Sequence, residues 1–402
     1  MNLLRRRNLI VLTLTLIICW ANTHWITPDK KNPAPPQTCA SCHKAIAASH
    51  LRTAHYLSSA PANATTIKGS FKNGRNHFVY NDHMEVVLEK KNGIYLQTAL
   101  FNGNLFESEA FDIVIGSARK GQSYLYWDNA KLFQLPISYY TPADAWCNSP
   151  GYPTNVVYYN KQVPGQCMEC HATAATLTTD DNGVVTYDKS SIVLGIDCQR
   201  CHGDGAQHIA WHTAHPADSA AGRYIVTAKH LPRQQRLDAC ALCHSGFRKQ
   251  LTPSFSFRVG DTLEKFSTAV YDTAATATAN LDVHGNQYGL LTSSKCFLKS
   301  QLDCSTCHNV HVDEAGLMPT FSQRCITCHN GKDQHTCASP AIKKMGKVTN
   351  CIDCHMPALP SNKILLQLNN NAAPVHDLVR THHISIYPQI SEAWLTAHPP
   401  AH

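Results

Sequence analysis

Fourteen of the chain's 18 cysteines fall into seven copies of one five-residue pattern, Cys-x-x-Cys-His. In order these are Cys39/Cys42/His43, Cys167/Cys170/His171, Cys198/Cys201/His202, Cys240/Cys243/His244, Cys304/Cys307/His308, Cys325/Cys328/His329 and Cys351/Cys354/His355. Two thiols separated by two residues in a helical turn can add to the two vinyl groups of one porphyrin. The next residue then places its imidazole under the iron. Structural zinc and CxxC redox pairs also use paired thiols, but neither needs a His directly after the second Cys. With 24 His in 402 residues, seven out of seven by chance falls below about one in 10^8. The pattern predicts seven covalently attached haem c groups, with the seven motif histidines as iron ligands.

Each iron then asks for a sixth ligand. Methionine, which raises a haem potential, is scarce: six in all, including Met1, and Met168 and Met356 inside or abutting motifs. Histidine is abundant, and 17 lie outside the motifs, so bis-His ligation is expected for most irons. His55 follows His43 by twelve residues on a stretch, Lys44 to Ala60, that reads as helix. His208 and His212 stand at i, i+4 and share one helical face downstream of the third motif. His311, three residues after His308, would let one segment ligate two adjacent haems. His284 and His382 are isolated, and a satisfied core His is an equal reading for each. Among the other cysteines, Cys296 and Cys337 bracket the fifth and sixth motifs and are candidates for a disulfide in an oxidising compartment. Cys147 reads as a buried free thiol rather than a thiolate ligand.

The elements that must position these residues are unevenly distributed. After the first motif, residues 44 to 166 pass without another, whereas Cys304 to His355 carry three. So short a chain cannot separate three porphyrins, and near contact between them makes a path for electrons. The long gap reads as β structure. Asn73-Gly74, Asn92-Gly93 and Asn102-Gly103 separate HFVY, MEVVLEKK and IYLQTALF, with FDIVIGS, SYLYW and, after Asp128-Asn129, KLFQLPISYY following. Five to seven antiparallel strands are expected there, and a strand-like SFSFRVGD lies near 254 to 261. Gly116 to Gly121 lacks the Gly-Lys-Ser/Thr ending of a phosphate loop. The aromatics Tyr124, Tyr126 and Trp127 read as core or sheet-face residues before a partner site.

At the N-terminus, Arg5, Arg6 and Arg7 precede an uncharged run from Leu9 to Ala21, the pattern of a secretory signal. The run is short for the roughly 20 residues a bilayer span needs, and Ile18 sits where a lipoprotein signal before Cys19 requires a small residue. A Pro-rich tether over 22–37 follows. The expected organisation is then signal 1–21, tether 22–37, first haem segment 38–65, inserted β-rich domain 66–145, haems two to four over 146–249, a connecting segment 250–295, haems five to seven over 296–360, and a tail 361–402 supplying distal His. The fold class is mainly α and irregular, with a small inserted antiparallel β domain. Haem attachment on the outer side of a bacterial inner membrane agrees with export to the periplasm or beyond.

A formal charge of +7 invites nucleic acid as a partner. Losing Arg5 to Arg7 removes three charges, and each bis-His haem c adds about −1 when ferric and about −2 when ferrous, so the mature holoprotein stands near about −3 oxidised and about −10 reduced. Nucleic acid drops out. Redox proteins are the expected partners, a quinol oxidase-type membrane complex or other cytochromes, with peripheral or tethered membrane association.

The motifs, together with CASCH and TAHY (Cys39 to Tyr56), IGSARKGQSYLYW, LPISYYTPADAWCNSPGY, CQRCHGDGAQH, VHGNQYGLLTSSKCF, CSTCHNVH, CIDCHMP and VRTHHISIYP, resemble the multihaem cytochromes c of the cytochrome c-554 and hydroxylamine oxidoreductase superfamily. The resemblance covers nearly the whole mature chain. It implies His55, His208, His284, His311 and His382 as distal ligands, and Cys296 as partner of Cys337. Pentahaem nitrite reductases of related architecture carry a catalytic CxxCK haem, whereas here every motif ends in His. Single-electron transfer along bis-His haems is therefore the expected function. The alternative is a multihaem oxidoreductase of a small nitrogen or sulfur compound such as nitrite, hydroxylamine or tetrathionate, acting at one open haem.

Overall fold

In the first gap, side-chain alternation and turn chemistry build two antiparallel sheets. A computed structural model describes residues 37–220, 222–270, 281–330, 337, 339, 350–368 and 373–398; the expected signal and all but the last residue of the expected tether lie outside them. Strand β1 is Ser59–Pro61, β2 His77–Asn81, β3 Met84–Lys91, β4 Ile94–Phe101 and β5 Asn104–Ala110. The sheet β2-β3-β4-β5 is a plain meander. Its tight turns use left-handed Asn-Gly pairs, Asn92 (φ 51) with Gly93 (φ 85) and Asn102 (φ 49) with Gly103 (φ 76), whose twist matches that of the flanking strands.

Strands β6 (Ile113–Ile115), β7 (Gly121–Asp128), β8 (Lys131–Gln134), β9 (Ile137–Tyr140), β10 (Ala145–Asn148) and β11 (Lys161–Gln162) join β1 in a seven-stranded sheet. Phe78, Val86, Leu88, Phe111, Tyr124, Trp146 and Tyr159 form one core between the two sheets. The strands number eleven and run from Ser59 to Gln162, beyond the expected five to seven. The added ones are short, and pairing rather than patterning reveals them. Tyr124 is fully buried and Tyr126 is 6% exposed, so these aromatics are core. Trp127 packs on Tyr187 with Lys189 over its ring. From Pro35 onward the chain forms one compact unit.

The motifs sit on short helices: Gln37–Cys42, Gly165–His171, Cys198–His202, Arg233–His244, Cys304–Cys307, Met318–Cys328 and Ile352–His355. Two are fixed by acidic N-caps that satisfy otherwise unpaired amides. Asp197 accepts from the Cys198 N–H, and Asp303 forms a reciprocal capping box with Thr306. Hairpins join the motifs: β12 (Ala172–Thr179) with β13 (Val185–Leu194), β14 (Arg248–Gln250) with β15 (Ser267–Ala269), and β16 (Ala358–Leu366) with β17 (Val375–Arg380).

Two sequence expectations differ from the structure. The helix after the first motif ends at His50 and gives way to a 3-10 turn, Tyr56–Ser58, which leads into β1. SFSFRVGD is not a strand; only an isolated bridge joins Val259 and Asp261. Phe255, at φ 66, and Phe257 insert into different apolar clusters instead. That local twist breaks the alternation a strand requires.

Candidate haem-binding sites

The structure brings motif and distal histidines face to face in four pairs. His43 and His208 have ring centroids 6.3 Å apart and planes 18° from parallel. His202 and His311 stand at 6.0 Å and 18°, and His308 and His382 at 6.2 Å and 27°. His55 faces His244 at 6.1 Å with the planes nearly perpendicular, 78°. A metal bound between two imidazoles needs about 2 Å to each nitrogen and about 1.1 Å more to each ring centre, or about 6.2 Å in all. The four spacings match that requirement without direct contact between the rings.

Second ring nitrogens show the same preparation. The Nδ1 atoms of His171, His202 and His355 stand 3.3, 2.7 and 2.8 Å from the backbone oxygens of Ser58, Val226 and Ser385. The Nδ1 atom of His244 stands 3.4 Å from Gln287 Oε1 and that of His308 3.4 Å from Glu314 Oε2. Among distal residues, His208 Nδ1 lies 2.9 Å from the Arg223 oxygen. An imidazole that donates from Nδ1 keeps the Nε2 lone pair for a metal. Burial lowers the pKa of His171, His244, His308 and His311, and burial with repulsion between neighbouring imidazoles lowers His55 and His382 to about 4. All six are therefore neutral at pH 7, the form that ligates. His212 Nε2 and His382 Nδ1 are buried with no hydrogen-bond partner, as polar atoms facing a bound group would be.

Distant segments position the distal residues. His55 is held where its carbonyl accepts from Ile196 N, just before the third motif. His311 is tied to the first helix region by the Ser49 hydroxyl, which donates to its carbonyl at 2.6 Å. The Ser294 hydroxyl donates to the His382 carbonyl and accepts from Ile384 N. One segment, His308 to His311, thus serves two pairs. His212 lies on the helix Ala206–Ala214 beside His208, with ring centres 4.6 Å apart, and no motif His stacks on it. His284 is not brought to a motif His either. It lies among Asp282, Asp377 and Lys120, in the core-His role that the sequence left open. Among the described residues no imidazole ring faces His171 or His355.

The implied Cys296–Cys337 disulfide does not form; both thiols are free. Cys296 stands near Cys307, Cys325 and Cys328, whereas Cys337 stands near Cys354, so each faces a different motif. Cys147 is a free thiol 1% exposed, with its pKa pushed by burial up to about 12. That is a packing role beside Tyr140 and Leu366.

Comparison with known proteins decides the class. A family described as cytochrome c554 and c-prime matches residues 154–203, which hold the second and third motifs. The C-type polyheme cytochrome OmcB of Geobacter sulfurreducens is 28% identical over an alignment covering 35% of this chain and 19% of that protein. The chain is a multihaem c-type cytochrome. It spans about a fifth of the length of the curated relatives it matches. The outer cell wall cytochrome OcwA superposes with TM-score 0.57 at 15% identity, covering 92% of this chain and 84% of that one, a shared fold. An undecaheme cytochrome from the S-layer of Carboxydothermus ferrireducens is a looser likeness, TM-score 0.42 at 15% identity over 91% of this chain and 54% of that one. No helix among the described residues is long and apolar enough to cross a membrane.

The sequence missed the residues that orient the ligands. Glu314 accepts from Arg324 at 2.6 Å and from Asn309 N at 3.1 Å while it faces His308. Buried Arg200 donates to the Glu169 carbonyl at 3.1 Å and lies 3.7 Å from its carboxylate, joining the second and third motifs. A charged residue inside the motifs CMECH and CQRCH was the one available signal.

Proposed function

We propose that this cytochrome is an exported heptahaem electron carrier that moves single electrons between redox-protein partners. The observation that carries the reading is the set of four imidazole pairs at 6.0 to 6.3 Å. Haem c, when bound, supplies reversible one-electron ferric–ferrous chemistry. The motif cysteines hold it covalently; His43, His171, His202, His244, His308, His329 and His355 ligate from one side, and His55, His208, His311 and His382 close four of the sites from the other. Two imidazoles leave no open position for substrate and keep potentials low relative to His/Met ligation. Carbonyl and carboxylate acceptors at Nδ1 fix each ring, so ligation is the same in both oxidation states and little reorganises. Residues 1–21 act as the export signal and 22–37 as a tether, and a membrane quinol-linked complex or another cytochrome serves as donor.

Haem analysis of the purified mature protein tests this: seven haems per chain and a ferric spectrum dominated by low-spin iron are expected. A low haem count, or a majority of high-spin iron, overturns it. A second reading, reduction or oxidation of a small nitrogen or sulfur compound, is favoured by His171 and His355, which no imidazole faces among the described residues. Binding of nitrite or hydroxylamine to a high-spin iron supports that reading, and its absence removes it.

A further inference from the structure

The motif cysteines also touch one another across motifs, and these contacts define an order. Both sulfurs of one motif attach to the same side of one macrocycle, so sulfurs of two motifs in contact bring two macrocycle edges together. The Cys243 thiol is hydrogen-bonded with Cys170 of the second motif, and Cys201 of the third lies within its electrostatic reach. Cys240, on the other end of the same motif, is hydrogen-bonded with Cys304 of the fifth. Backbone packing agrees: Cys170 Sγ stands 3.9 Å from the Leu242 oxygen, and Arg236 of the same helix donates to Asp303 at 2.6 Å, the residue capping the fifth motif. Beyond this centre, Cys198 neighbours Cys39, Cys307 neighbours Cys328, and Cys325 is hydrogen-bonded with Cys351.

We propose that the helix Arg233–His244 is a three-way junction. One arm runs through the third motif to the first, one is the second motif alone, and one runs through the fifth and sixth to the seventh. The cytochrome then has three ends rather than two. A donor at one end can serve acceptors at both others, and motif order in sequence is not the order of electron travel. This rests on the proposal that all seven motifs carry haem.

Iron positions in the holoprotein, from cryo-electron microscopy or iron-edge anomalous diffraction, test the order directly. The iron bound by His244 is expected to have three nearest iron neighbours, those bound by His171, His202 and His308. The irons of His43, His171 and His355 are each expected to have one. An unbranched order, or His171 iron lying nearest a different motif, overturns the junction even with all seven haems present. Failure of the electron-carrier reading would instead show as missing haem or a ligand-binding iron.

A second measurement needs no structure. His55→Met raises the potential of the junction iron, so that it is reduced while its neighbours are still titrating. Its added electron then makes adjacent haems harder to reduce, each 59 mV corresponding to about tenfold in that equilibrium. Haem-resolved nuclear magnetic resonance redox titration should show the downward shift concentrated on the second, third and fifth motifs. A shift concentrated on the first, sixth or seventh contradicts the proposal.

Discussion

Replacing Glu169 tests whether the second and third motifs are locked together by one buried carboxylate. Both partners are buried, at 7% side-chain exposure each, with Arg200 Nη2 3.7 Å from Glu169 Oε1. The carboxylate also accepts from Gln250 Nε2 at 2.8 Å and Phe255 N at 2.8 Å. Glu169→Ala leaves the guanidinium with the Glu169 carbonyl and the Phe255 ring, 5.3 Å away. Stranding a buried cation costs about 3–5 kcal/mol, and leaving the Phe255 amide unpaired adds about 1–3 kcal/mol. That is a large share of a typical total of about 5–15 kcal/mol. At about 2 °C per kcal/mol for a large domain, Tm falls by roughly 10 °C. Glu169→Gln keeps a neutral acceptor for Phe255 but not the charge, and should lose about half as much. Thermal unfolding of the purified holoproteins, followed by fluorescence, gives the comparison. Equal Tm values for the Ala and Gln variants, or an Ala variant within about 2 °C of wild type, would refute the reasoning.

Three further outcomes follow from the same geometry. Glu314→Gln removes the carboxylate facing His308 Nδ1, makes that imidazole a weaker donor and should raise the potential of the fifth haem; spectroelectrochemical titration would show one haem moving positive, and no movement would count against the second-shell role. Asp303 is pushed up by burial, but hydrogen bonds from Ser305 and Arg236 outweigh that and hold its carboxyl below the ordinary value. A carboxyl lowered by folding contributes stability above its unfolded pKa of about 3.9 that is lost as pH falls through the lower folded value. Asp303→Asn should thus be less stable than wild type at pH 7, with the gap closing below about pH 4 in acid-unfolding curves. Finally, the 78° angle between His55 and His244 leaves two iron d orbitals nearly degenerate, so His55→Ala should remove a large-gmax low-spin resonance while the rhombic signals of the near-parallel pairs persist.

Much of the site was legible because covalent attachment is local: Cys-x-x-Cys-His writes cofactor and proximal ligand into five adjacent residues. Distal ligation is not local. The i, i+4 spacing of His208 and His212 put both on one helix, yet whether His43 faces one or the other depends on how that helix docks. His55 could not be paired with His244 from spacing, because 188 intervening positions carry two sheets and two motifs. His284 and His382 looked alike in sequence; Asp377 comes beside one and His308 beside the other only after the C-terminal hairpin folds back. The Asn-Gly turns at 92–93 and 102–103 were readable since positive φ at both residues demands those types. SFSFRVGD misled because its alternating Phe residues serve two clusters rather than one sheet face.

The account stands most directly on axial ligation. Near-infrared magnetic circular dichroism with electron paramagnetic resonance on the fully oxidised, purified cytochrome identifies the ligand pair at each iron. At least four irons per chain with two imidazoles are predicted, three with near-parallel rings and one with near-perpendicular rings. His/Met ligation or high-spin iron at the sites of His43, His202, His244 or His308 would contradict it.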